Sequence, residues 1–132
     1  MAAKKEIIPP PDAALAAGRE AHQRRSTAVR GGAFIFVSGL TAVDPDTGAP
    51  MPGTTASETR QILTNLQQIL EAAGSSMEKV VKVTVLLRSM LEAPNMNDAY
   101  KPFFPEPPPA RTVCGARLPA GVKVIVECTA LA

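Results

Sequence analysis

One histidine, two cysteines and no tryptophan occur in 132 residues, and these scarcities narrow the available chemistry before any element is placed. His22 stands alone, and Cys114 and Cys128 are too widely spaced for a zinc cluster, so no metal is expected. The same shortage excludes a Ser-His-Asp triad or a Cys-His pair; among Glu20, Gln23, Arg24 and Arg25, His22 reads as a solvated imidazole. Four Phe and one Tyr give single-stranded nucleic acid no stacking platform, and 14 Lys+Arg against 12 Asp+Glu leave a net charge of only +2. Nucleic acid is therefore not an expected partner. No apolar run approaches the roughly 18 to 20 residues that a membrane span needs, so no membrane is expected either. Gly31-Gly32 is too short for a phosphate cradle and precedes a strand rather than a helix, which leaves no indication of a nucleotide cofactor. With neither CxxC spacing nor an apolar leader at Met1–Glu6, the cysteines read as reduced thiols of a cytoplasmic protein.

What the chain does have is a globular balance of 45% hydrophobic and 20% charged residues, at a length that suits one domain. Its 13 prolines cluster. Pro9, Pro10 and Pro11 make residues 1 to about 12 an extended arm rather than an element, and the Ala-rich stretch 13–24 allows a short helix. Residues 1–24 thus form an arm, and 25–132 the domain. Strands are expected over Thr27–Val29 and Phe34–Ser38, joined at Arg30-Gly31-Gly32, followed by a turn-rich loop from Asp44 to Gly53. An amphipathic helix is expected over Ala56–Ala73, with Thr55 and Glu58 in capping-box spacing, Gly74 as C-terminal cap and a stripe of Ile62, Leu63, Leu66, Ile69 and Leu70. Lys79–Leu87 reads as a strand with Val81, Val83, Val85 and Leu87 on one face and Val80, Lys82, Thr84 and Leu86 on the other. A second helix over Asn95–Phe104 and two strands, Arg111–Arg117 and Val122–Ala130, complete the order β-β-α-β-α-β-β. This is an α+β fold with two helices on one sheet face. The other face keeps apolar residues such as Val80, Leu86 and Ile125, which calls for cover from further copies of the chain.

One segment suits ligand chemistry. Pro107-Pro108-Pro109-Ala110-Arg111-Thr112 delivers a single arginine to the start of a strand on a stiff leader, and a pre-organised guanidinium is a planar fork matched to a carboxylate. From local sequence alone, a rim salt bridge is the ordinary reading of such an arginine.

Longer stretches resemble a known family. Phe36-Val37-Ser38-Gly39, Asp44-Pro45-Asp46-Thr47-Gly48, Asn65-Leu66, Leu70-Glu71-Ala72-Ala73-Gly74 and Val80–Val85 look like successive blocks of the Rid (reactive intermediate deaminase; YjgF or L-PSP) family. Asn97-Asp98-Ala99-Tyr100, Phe103-Phe104, Pro109-Ala110-Arg111-Thr112, Leu118-Pro119 and Val126-Glu127-Cys128 continue the pattern in the same order. The resemblance covers about Thr27 to Ala130. It implies a chorismate-mutase-like fold, a homotrimer with its sheets inward, and ligand sites in clefts between subunits. It also implies hydrolysis of 2-imino or 2-enamino acids to 2-keto acids and ammonia without metal or cofactor. In that picture Arg111 clamps the carboxylate of a small metabolite, Gly39 supplies backbone at the pocket floor, Ser38 beside it belongs to the substrate-binding set and Asn97 lies near the site. Cys114, which follows Arg111 on the same strand, is a candidate for the pocket lining, with a buried structural thiol the plainer reading.

Two positions depart from the pattern. Ile125 stands where many deaminating members carry a water-orienting Glu, and Arg25 replaces a tyrosine on the N-terminal side of the pocket. Glu127 shares a face with Ile125 but lies two residues along the strand, roughly 6.6 Å away. A non-catalytic trimer that binds small acids is therefore the alternative to the deaminase.

Overall fold

Residues 4–9 and 24–132 are described by the structure, a computed structural model. The helix allowed for residues 13–24 falls outside them, Arg24 apart. Strands β1 (Lys5–Ile8), β2 (Ala28–Gly31) and β3 (Phe34–Leu40) precede helix α1 (Thr55–Ala72). Strand β4 (Val80–Leu87), helix α2 (Ala93–Tyr100), strand β5 (Ala110–Gly115) and strand β6 (Val124–Leu131) follow, with single 3-10 turns at Met90–Glu92 and Lys101–Phe103 flanking α2. The six strands form one mixed sheet in the order β1-β2-β3-β6-β4-β5. Only β4 and β5 pair in parallel, and α2 supplies the crossover that a parallel pair needs.

The expected order holds from β2 onward, with one strand more. Lys5–Ile8, expected to lie outside the sheet as an arm, pairs antiparallel with β2 and forms one edge of the sheet. The prolines end this strand at Ile8 instead of preventing it, because an edge strand requires pairing on only one side. The β2–β3 hairpin pairs Gly31 with Phe34, leaving Gly32 and Ala33 as a two-residue loop. Gly32 takes φ 58°, the positive value that the first loop residue of a II′ turn demands.

Helix α1 starts one residue earlier than its sequence suggests. Thr54 is the N-cap, its Oγ1 accepting from Ser57 N at 3.0 Å while Ser57 Oγ accepts from Thr54 N at 3.0 Å. Glu58, expected to close the capping box, is instead buried to 2% exposure. Its carboxylate accepts from Gly53 N at 3.1 Å and from Lys123 N at 2.9 Å, with Lys123 Nζ at 3.5 Å, so it ties the helix entry to the chain before β6. Gly74 ends the helix with φ 82°. The Ile62, Leu63, Leu66, Ile69 and Leu70 stripe is fully buried against Val83, Val85, Leu87, Val124 and Val126 of the sheet.

The alternation expected for β4 fails at its first turn of the pleat. Val80 pairs with Ala130 and Lys82 with Thr129, so Val81 is an extra residue; Val80 points into the core and Val81 is exposed. Beyond this bulge Val83, Val85 and Leu87 face the helices as expected. Among the described residues no element covers the opposite sheet face, where Ile7, Phe34, Phe36 and Leu131 are each at least 40% exposed. Among the described residues no helix is long and apolar enough to cross a membrane.

Candidate functional site

Strand β5 is a sheet edge, and its register fixes where Arg111 points. Arg111 pairs with Val83, whose side chain packs beneath the helices, so the guanidinium lies on the helix side of the edge. There α2 meets it with two groups. Arg111 Nη1 donates to Asn97 Oδ1 at 2.9 Å, and the guanidinium carbon sits 4.8 Å from the centroid of the Tyr100 ring. Asn97 and Tyr100 are three residues apart and so share one helix face. Tyr100 in turn stacks on Phe104, with centroids 4.5 Å apart and planes at 29°. Among the described residues no carboxylate forms an ion pair with Arg111, so the rim salt bridge that its local sequence suggested is not formed there. A neutral amide and a ring orient the cation without neutralising it, which leaves its charge available to an anion.

Among the described residues the buried Tyr100 hydroxyl has no hydrogen-bond partner. Burial pushes its pKa up to about 12, against the lowering pull of the Arg111 charge. Cys128 is likewise pushed up to about 12, chiefly by burial and further by Glu127. Both shifts favour the neutral phenol and thiol, the wrong forms for a phenolate base or a thiolate nucleophile.

A second group of the expected residues gathers around a bulge in β3. Val37 pairs with Cys128 and Leu40 with Val126, so β3 carries one residue more than β6 between these points, at Ser38-Gly39. Ser38 Oγ donates to Ser26 O at 2.6 Å and Ser38 N to Thr27 O at 2.9 Å, which fixes the bulge against the chain entering β2. A Cβ on Gly39 would stand 2.9 Å from Ile125 Cγ2, so glycine is required for these strands to approach. Gly39→Ala is expected to cost about 1–3 kcal/mol as an overpacking change. Its penalty should shrink in an Ile125→Ala background, read as non-additivity of the two changes in chemical unfolding.

Leu86 joins this group to β5, since it pairs with Ile125 on one side and with Cys114 on the other. Cys114 is exposed and, three residues from Arg111, lies on the opposite face of β5. Glu127 pairs with Thr84 on the same open face as Ile125. Arg25 is exposed at the entry to β2. A single chain thus brings Arg111 and Asn97 together, and separately Gly39, Ile125 and, through Leu86, Cys114; it does not join the two groups. Sequence reasoning missed Tyr100 as a partner of Arg111. The one available signal was its spacing, one helical turn from Asn97 and one before Phe104.

The family model described as endoribonuclease L-PSP matches residues 17–132. The chain belongs to this L-PSP, or Rid, family. The L-PSP chain is 42% identical over 106 residues to a RutC family protein of Pyrococcus horikoshii, covering 80% of this chain and 84% of that protein. It is 42% identical over 98 residues to the 2-iminobutanoate/2-iminopropanoate deaminase of Bos taurus, covering 74% and 72% respectively. The crystal structure of RidA from an Antarctic Psychrobacter superposes with a TM-score of 0.77 at 31% identity, over 83% of this chain and 89% of that one. The mixed sheet with two helices on one face is therefore the Rid architecture.

Proposed function

We propose that this Rid chain is an imine/enamine deaminase that hydrolyses reactive 2-imino or 2-enamino acids to 2-keto acids and ammonia, with Arg111 gripping the substrate carboxylate. The observation that carries this reading is the Arg111 cluster: a guanidinium at a sheet edge, oriented by Asn97 at 2.9 Å, with no carboxylate of its own among the described residues. The deaminase name of the bovine relative agrees with it. In the reaction, water adds its oxygen to the imine carbon and its protons pass to nitrogen. The resulting carbinolamine then collapses, breaking the C–N bond, forming the carbonyl and releasing ammonia. Arg111 contributes binding and orientation, which is a sufficient role for an imine that already hydrolyses in water.

The reading includes a homotrimer in the cytoplasm, with sheets facing inward and the site completed across subunit clefts. It is supported by the exposed Ile7, Phe34, Phe36 and Leu131 of the open face, and by the separation of the Arg111 and Gly39–Ile125 groups on one chain. A cleft between copies would let one chain's arginine meet another chain's bulge.

Ile125 favours a second reading, a trimer that binds small acids without turning them over, because an isoleucine cannot hold or polarise water. One assay separates the two. An amino-acid oxidase generates 2-iminobutanoate, and semicarbazide traps what remains as the semicarbazone. The deaminase reading expects slower semicarbazone formation as the purified protein is added; an unchanged rate at micromolar protein leaves only the binder.

A further inference from the structure

We propose that Tyr100 is a positioning residue for Arg111, holding the guanidinium plane through its ring so that the cation meets an organic carboxylate edge-on; the inference rests on the carboxylate clamp proposed above. Helix α2 constrains the guanidinium from two directions. Asn97 Oδ1 accepts from Nη1, which fixes one edge of the fork, and the Tyr100 ring lies 4.8 Å from the guanidinium carbon, which limits tilt out of the plane. Neither constraint alone orients a planar ion at the end of a long side chain; one edge contact together with one face contact does.

The platform under Arg111 is packed from below. Met96 and Ala99 anchor α2 in the core at 0% and 5% exposure, and the Tyr100 ring is backed by Phe104 at 4.5 Å. The side chain that makes the platform carries a cost as a tyrosine, since its buried hydroxyl has no partner among the described residues. The ring, and not the hydroxyl, is therefore the part that serves Arg111. Holding the fork in place before a ligand arrives reduces the ordering that binding must otherwise impose on a flexible arginine.

The test replaces Tyr100 with phenylalanine and with ring-fluorinated phenylalanines bearing one, two and three fluorines, which keep size and weaken the negative face of the ring in steps. The readout is the dissociation constant of 2-oxobutanoate, measured by calorimetry, in wild-type and Arg111→Ala backgrounds. Tyr100→Phe is expected to bind within about twofold of wild type, and the fluorinated series to weaken binding stepwise, by roughly two- to fivefold in total. The steps should vanish in the Arg111→Ala background. A flat series, with Arg111→Ala still weakening binding by roughly tenfold or more, overturns the role of Tyr100 and leaves the clamp standing. Wild-type affinity in Arg111→Ala overturns the clamp itself, and the positioning role with it.

Discussion

Arg111→Ala is expected to weaken 2-oxobutanoate binding, and to raise the KM for 2-iminobutanoate, by roughly 10- to 150-fold. This follows from the loss of about 1.5–3 kcal/mol that hydrogen bonds to a charged group contribute. Folding should be nearly untouched, because Arg111 is exposed and, among the described residues, its side-chain hydrogen bond goes to Asn97 alone. Thermal midpoints of the two proteins should agree within a few degrees. Arg111→Lys should recover little of the loss, since an ammonium presents no planar fork and stacks poorly on Tyr100. An Arg111→Ala protein that is folded and binds as tightly as wild type removes the clamp from the account.

Ile125→Glu is expected to raise the rate of imine hydrolysis by about 10²-fold, the lower end of what a positioned general base contributes. Ile125 lies on the open face beside the glycine bulge and is only partly buried, so an acid there keeps access to water. Ile125→Gln is the control, matching the shape of Glu without its basicity. A gain in kcat for Glu and none for Gln identifies the missing base as the limit on rate. If a folded Ile125→Glu protein hydrolyses imine no faster than wild type, water orientation is not what this site lacks.

Helix α1 could be read from sequence because its evidence is local: a 3.6-residue apolar stripe ends at a glycine that takes the left-handed conformation. The one-residue error at its start has a non-local cause. Adjacent threonines both fit a capping pattern, and Glu58, the natural partner of Thr55, is held by the backbone of Lys123, 65 residues away. Strand β1 was missed for the same kind of reason, since four residues before a proline run carry no periodic signal and become a strand only by pairing with β2. The Val81 bulge likewise follows from the register of β4 on β6, which alternation along β4 alone cannot reveal.

The candidate residues could be picked out one by one, and their arrangement could not. Arg111 stood out through its proline leader, and Asn97, Gly39 and Ile125 through the resemblance to Rid proteins. Arg111 and Cys114 point to opposite faces by their odd spacing on one strand, but which of them faces the helices depends on the parallel pairing with β4. That Tyr100 lies under the guanidinium depends on where α2 docks over the sheet edge. Both are tertiary facts. They separate residues that are near in sequence and join ones that are not.

The most direct test is a crystal structure of the protein grown with saturating 2-oxobutanoate. The carboxylate should lie within hydrogen-bond distance of the Arg111 guanidinium, with the Asn97 and Tyr100 contacts kept and Gly39 and Ile125 of a neighbouring copy closing the cleft. A keto acid bound away from Arg111, or an Arg111 side chain turned to solvent in the complex, contradicts the account.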